Sequence, residues 1–147
     1  MTDLENHYRK LERMYLQARV NAEIYTGIQL HVENERAELS LNISTKYHHA
    51  AKAMHGSVYF KMLDDAAFFA VNSIVTDVFV YTVSFNIQML RPVAHGMIKS
   101  IGELKFKSNN LFIADSTLWD ENNKLVGRGS GNFMKSKIAL TEEIGYK

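Results

Sequence analysis

Cysteine is missing from the 147-residue chain altogether. Its absence removes disulfides, thiolate metal sites and a cysteine nucleophile in one step, and it suits a reducing compartment such as the cytoplasm. Proline occurs once, at Pro92, so no proline-rich linker divides the sequence. At this length the expectation is one domain, residues 1–147. No long apolar run opens the chain either: residues 1–19, MTDLENHYRKLERMYLQAR, are charged throughout. Such a segment neither spans a bilayer nor acts as a signal, and no membrane partner is expected. Charge of one sign does not prevail: 17 Lys and Arg stand against 16 Asp and Glu, a net charge of +1. Without a basic excess there is nothing to hold a phosphate backbone, which excludes nucleic acid as an expected partner. Internal repeats and low-complexity stretches are also lacking.

What is present is the material of a globular core, 46% hydrophobic residues in a chain long enough to bury them. In residues 3–22, Leu4, Tyr8, Leu11, Tyr15, Ala18 and Ala22 recur at three- and four-residue steps and predict an amphipathic helix. Two alternating runs follow, 27–32 and 36–43, parted by Glu33-Asn34-Glu35. A polar, histidine-bearing loop (44–54) leads into an apolar stretch, 56–75, that reads as one buried helix. Four strand-like segments come next, 79–90, 98–107, 111–119 and 124–134, separated by short turn signals. Strands joined by turns this short are expected to pair with their sequence neighbours, all antiparallel. The order predicts an α+β fold: a six-stranded antiparallel sheet curled around one central helix, with an extra N-terminal helix (1–23) outside a core of 24–135. Gly127, Gly129 and Gly131 alternate and share one face, expected to be the concave face where helix and strand approach. The same residues, read as a phosphate-cradling GRGSG loop, lack the helix start that such a loop requires.

Within MHGSVYFKMLDDAAFFAV (54–71), two adjacent acids stand in an otherwise apolar helix. The helical neighbours of Asp64 are Phe60, Ala67, Phe68 and Val71, with Lys61 the one charged residue. A carboxylate there is desolvated, which raises its pKa and primes it as a base; equally, Lys61 or a loop amide pairs with it and it is structural. Asp65 has Lys61 at i−4 and Asn72 at i+7, the surroundings of a structural acid. At the head of the helix, His55-Gly56-Ser57 leaves free backbone N–H groups that a small residue lets a ligand approach. These groups and the helix dipole suit a developing oxyanion. Gly56 and Asp64 are eight residues apart, about 12 Å along a helix at 1.5 Å per residue. One small carbonyl cannot touch both in one chain, so joint action requires a two-fold dimer with sites at its interface.

This pattern resembles the hotdog-fold acyl-CoA thioesterases of the phenylacetate-degradation type. The resemblance rests on His55-Gly56, Phe60, Leu63, Asp64 and Ala66, on the strand 81–92 that ends in Arg91-Pro92, and on Gly96. It covers residues 24–135. It implies hydrolysis of an acyl-CoA to a free acid and CoA, with no cofactor beyond the coenzyme A of the substrate. Asp64 would be general base on water or nucleophile, the Gly56 N–H would polarise the carbonyl, and Thr82 would orient the water. Two positions depart from the family: Ser57 replaces a second glycine, and His49 stands where many members have an asparagine that holds water or carbonyl. His49 is therefore carried as a catalytic candidate, and His55, Ser57, Phe60 and Phe68 as substrate-binding ones. The implied assembly is a homodimer or a dimer of dimers (homotetramer). Any of Arg91, Lys105, Lys107, Arg128, Lys135 and Lys137 would serve the CoA phosphates at a pocket mouth. The Tyr8/Leu11/Tyr15 stripe packs on the body or partner, or closes an acyl tunnel. His48, His49 and His55 match no metal-ligand spacing. The rival reading is a non-catalytic acyl-CoA binding or sensing module on the same fold. A dehydratase or hydratase would use a histidine-plus-acid arrangement that is not found here.

Overall fold

Thr2 starts the first helix as half of a capping box: its Oγ1 accepts from the Glu5 N–H at 3.1 Å, and its own N–H donates to Glu5 Oε2 at 3.0 Å. The computed structural model, which describes all 147 residues, places α1 over Asp3–Gln17 with His7, Tyr8, Leu11, Met14 and Tyr15 buried. The helix is shorter than the expected 3–22. Beyond Ala18 the chain continues as a π-helical turn, Val20–Ile24, which shifts the phase of the apolar stripe. Ala18 and Ala22 therefore end up exposed, and the buried residue of the turn is Asn21.

Six strands follow around a second helix: β1 (Gln29–Glu33), β2 (Arg36–Ile43), α2 (Gly56–Asn72), β3 (Val78–Met89), β4 (Gly96–Lys107), β5 (Phe112–Trp119) and β6 (Leu125–Ala139). They form one antiparallel sheet in the order β1-β2-β4-β5-β6-β3, and α2 contacts every strand. The α+β architecture expected from the sequence is the one observed. β1 to β6 hold the predicted strands, although β6 runs five residues further than 134.

One pairing expectation is overturned. β3 and β4, despite a six-residue connection, are not neighbours; β3 pairs with β6 at the far edge of the sheet. Three strand spacings are roughly 14 Å, within reach of six extended residues, so a short connection does not force adjacency. Pro92 ends the ladder, and the connection is held under the start of α2 instead. There the Tyr59 hydroxyl donates to the Arg91 carbonyl at 2.6 Å and the Met54 N–H to the Val93 carbonyl at 2.7 Å.

The glycine expectation also needs correction. The closest approach of sheet to helix is at Gly102 on β4, where an added Cβ would lie 2.1 Å from the Ala66 carbonyl oxygen. Gly129 and Gly131 face the concave side but make room for the Phe85 ring, not the helix backbone. α2 ends at Asn72, three residues before the expected 75. Asn72 is not the polar edge of Asp65. Fully buried, it donates to the carbonyls of Val75 and Val78 and accepts from the Val80 N–H, stitching the helix end to β3.

Candidate active site

On β3 a bulge between Thr82 and Ser84 breaks the two-residue alternation. It lets Thr82, opposite Phe133, point inward and still leaves Phe85, opposite Gly131, on the same concave side. The inward Thr82 hydroxyl donates to Asp64 Oδ1 at 2.8 Å. Burial among apolar side chains pushes the Asp64 carboxyl up from 3.8 to about 6; the Thr82 hydrogen bond and Lys61 oppose the rise, and the charge of Asp65 adds to it.

Asp65 faces another way. Its Oδ2 accepts from the Tyr15 hydroxyl at 2.6 Å and pairs with Lys61 Nζ at 2.8 Å. Lys61 in turn lies over the rings of Tyr25 and Tyr15, 4.7 and 5.3 Å from their centroids. Burial, then the neighbouring Asp65, drives the Tyr15 phenol far above its ordinary value, so it stays a proton donor. Two adjacent acids thus have separate surroundings: Asp65 is locked between a phenol and an ammonium, and Asp64 has one hydroxyl partner.

Asp64 and Thr82 border a cleft of about 420 Å³ whose walls are predominantly apolar, with Tyr15, Phe68, Phe69 and Phe79 among them. Its size is that of a small-ligand site. Gly56 lies elsewhere, in a groove of about 350 Å³ with His49, Tyr59, Met89 and Arg91. At that helix end the Ser57 N–H is taken by His55 Nδ1 at 3.0 Å and the Val58 N–H by the His55 carbonyl at 3.0 Å. The Gly56 N–H is the first-turn donor that neither cap takes. An added Cβ on Gly56 would meet only the flexible Met89 side chain, at 3.2 Å from Sδ.

The remaining candidates are scattered. His49 is exposed and its Nδ1 accepts from the Ala51 N–H at 3.0 Å, within its own loop. His55 and Ser57 border a third cleft with Lys46 and Tyr47, and the Ser57 hydroxyl sits 2.9 Å from His55 Nδ1. Phe60 is exposed and packs edge-on to Phe85 at 5.7 Å, bordering neither the Asp64 cleft nor the Gly56 groove. Phe68 alone of these lines the Asp64 cleft. No three His, Asp or Glu side chains come together as a metal-binding group, and no helix is long and apolar enough to cross a membrane. Phe79, Ile138 and Ile144 join the Asp64 cleft from β3, the end of β6 and the C-terminal turn. They read locally as strand and tail residues, so nothing in the sequence singles them out.

Residues 51–126 match the family model of the thioesterase superfamily. No curated protein sequence matches the chain. Among solved structures, the chain is similar to the Escherichia coli PaaI protein from the phenylacetic acid degradation operon. The TM-score is 0.84 at 16% identity, over 95% of this chain and 100% of that one. It is also similar to the Haemophilus influenzae thioesterase HI1161, with a TM-score of 0.74 at 16% identity, over 91% and 90% of the two chains. A mutant of the phenylacetic acid degradation protein PaaI from Thermus thermophilus gives 0.68 at 18% identity, over 75% and 94%. At these identities the likeness establishes the shared hotdog fold. The matched segment runs from the loop before α2 through β5 to the first residues of β6, more than half of the sequence, and on that ground the chain belongs to the thioesterase superfamily.

Proposed function

We propose that the protein hydrolyses an acyl-CoA thioester to a free carboxylic acid and CoA, with Asp64 as the general base. The observation that carries this reading is the Asp64 carboxyl itself: pushed to about 6 in an apolar cleft and held at 2.8 Å by Thr82. A base with that pKa is ionised at neutral pH and still basic enough to take a proton from water in the transition state. Thr82 donates to Oδ1, which leaves Oδ2 for the water, and the Thr82 oxygen keeps a lone pair to orient that water. Water attacks the carbonyl carbon and its proton passes to Asp64. The carbonyl oxygen becomes an oxyanion, which the Gly56 N–H at the N-terminus of α2 stabilises. Collapse of the intermediate expels the CoA thiolate, which recovers the proton from Asp64. A thioester is activated enough that this one acid and one donor suffice. No cofactor enters; CoA is part of the substrate.

Asp64 and Gly56 of one chain border different clefts, so the site is assembled between two copies. β3 supports that assembly: it is an edge strand of twelve residues, paired on one side only, with Tyr81 and Val83 exposed. Antiparallel pairing of two such edges satisfies both rows of backbone groups and relates the copies by a two-fold axis. This dimer, alone or doubled into a tetramer, would bring the Gly56 end of one copy to the Asp64 cleft of the other. The cysteine-free sequence suits the reducing cytoplasm as its location.

The deciding measurement is release of free thiol from a panel of acyl-CoAs by the wild type and Asp64→Asn. Loss of turnover with retained acyl-CoA binding in the variant is expected. Binding without turnover in the wild type would instead identify a sensing module, and an active monomer in light scattering would refute the shared site.

A further inference from the structure

Lys61 has two acids within reach. On α2 it precedes Asp64 by three residues and Asp65 by four, the two spacings at which helical side chains meet. The ion pair it makes is with Asp65, Nζ to Oδ2 at 2.8 Å, while the hydrogen bond to the Asp64 carboxylate comes from Thr82. We propose that Asp65, Tyr15 and Tyr25 are positioning residues for the Asp64 base: together they hold the Lys61 ammonium and keep it from pairing with Asp64. The proposal rests on the hydrolase reading for the use made of Asp64, and on geometry alone for the hold on Lys61.

The holder has three sides. Asp65 Oδ2 takes the ammonium at 2.8 Å and the Tyr15 hydroxyl at 2.6 Å, so two donors fix one oxygen. The faces of Tyr25 and Tyr15 supply the other two sides, with centroids 4.7 and 5.3 Å from Nζ, where a ring quadrupole attracts a cation. Both rings are themselves fixed. Tyr15 is buried and packs edge-on to Phe69 at 5.1 Å, and its carbonyl accepts from the Asn21 amide at 2.7 Å. Tyr25 stacks on Tyr47 at 5.6 Å with the planes 10° apart. In an unbroken helix, residues ten apart lie about 15 Å apart along the axis. Ala18, with a ψ of 131° before the π-helical turn, breaks that line, and both rings meet one ammonium. Tyr15 and Tyr25 precede the matched segment 51–126, so the hold is what the N-terminal segment adds to the site.

The consequence for Asp64 is electrostatic. A cation that pairs directly with a carboxyl lowers its pKa by about 1–3 units. An ammonium moved from Asp65 to Asp64 would therefore undo the rise to about 6 that burial produces. Few other charges enter. Of the residues that border the cleft, only Tyr15, Lys61, Asp64 and Asp65 ionise; β3, the end of β6 and the C-terminal turn bring uncharged side chains to it. Where it is held, Lys61 opposes the rise only in part, and Asp65 adds to it. The Tyr15 phenol, far above its ordinary pKa, keeps its proton and its bond to Asp65.

The test is a double-mutant cycle on the full chain: wild type, Lys61→Met, Asp65→Asn and the double variant. Two midpoints are read, that of the acid limb of kcat/KM for thiol release and that of the Asp64 carboxyl titration by carboxyl-carbon NMR, assigned with Asp64→Asn. Asp65→Asn should lower both by about 1–2 units, as the freed ammonium moves to Asp64. Lys61→Met should raise them by about 0.5 unit or less in the wild-type background and by about 1–2 units in the Asp65→Asn background, which returns the double variant to about the wild-type value. On the high-pH plateau, turnover of Asp65→Asn should stay within about tenfold of wild type, far from the loss expected for removal of the base. Tyr25→Leu, which leaves every carboxylate and ammonium in the chain, should lower both midpoints by about 0.5–1 unit and have no such effect in a Lys61→Met background. That pair decides the matter if Asp65→Asn fails to fold. Equal effects of Lys61→Met in both backgrounds, or a midpoint that rises in Asp65→Asn, overturn the hold and leave the hydrolase reading standing. If the wild type releases no thiol, the hydrolase reading fails and the NMR cycle decides the hold by itself. Unequal effects of Lys61→Met then sustain it, and equal ones overturn it.

Discussion

Replacing Asp64 by asparagine should make the protein less active and more stable, and the gain in stability should depend on pH. In the fold the carboxyl titrates at about 6, against 3.8 in the absence of the fold. At about 1.4 kcal/mol per pH unit, the ionised form is disfavoured by about 3 kcal/mol relative to the unfolded chain. Asparagine removes that term, and its carbonyl still accepts from Thr82; the extra strength of the bond to the ionised acid is already contained in the net shift. The expectation is a gain of about 3 kcal/mol, or roughly 6–12 °C in Tm for a chain of this size.

The sign follows from proton uptake. Below about pH 4 both states hold the proton, and the Asp64 carboxyl contributes no pH-dependent difference from the amide. Between about pH 4 and 6 the unfolded chain has released its proton and the fold has not, so wild-type stability falls as pH rises. Above about pH 7 the deficit is constant. Thermal and urea melts of both proteins across this range give the difference directly, and the contributions of groups that do not interact with Asp64 cancel. A difference that does not vary with pH, or a variant less stable than the wild type at about pH 8, would refute the account of Asp64. The same melts pair with kinetics: wild-type kcat/KM should rise with pH to a plateau with a midpoint of about 6, and Asp64→Asn should lose a factor on the order of 10²–10⁴.

Asp65→Asn should act on stability instead. It deprives Lys61 of its carboxylate and weakens the Tyr15 bond, for about 1–3 kcal/mol in urea denaturation; a fall in rate equal to that of Asp64→Asn would show the roles reversed. Thr82→Val removes the one hydrogen bond that lowers the Asp64 pKa. The acid limb of the rate profile should therefore move up by about 0.5–1 pH unit, while Thr82→Ser leaves it in place. Gly102→Ala forces a Cβ to within 2.1 Å of the Ala66 carbonyl, where no side chain can yield, whereas at Gly127 the nearest atoms are at 3.4 Å. Loss of about 3 kcal/mol or more is expected at the first position and under about 1 kcal/mol at the second, read as Tm by circular dichroism.

The order of helices and strands, the α+β class and the pairing of Lys61 with Asp65 were legible in the residues alone, whereas the Tyr15 and Thr82 partners of the two acids were not. Periodicity and turn residues are local, and the i−4 and i+4 neighbours of Asp64 and Asp65 are set once the segment is helical, so Lys61 was bound to face Asp65. The same arithmetic separated Gly56 from Asp64 within one chain. Partnerships between distant segments were not written locally. The edge position of β3 depends on which strands compete for β6, and turn length does not encode that. Gly102 looks no different in sequence from Gly129 until the helix lies across it. Thr82 points at Asp64 because a bulge, set by the pairing of β3 with β6, alters which face each residue takes. His7 and Tyr146, which share a hydrogen bond, are 139 positions apart, and the Asp64 cleft is bordered by residues of both terminal segments as well as of α2 and β3. A side chain's nearest neighbours follow from backbone geometry within one element. The shape of a cavity follows from how several elements pack and exclude water together, and no single stretch of the chain carries that information.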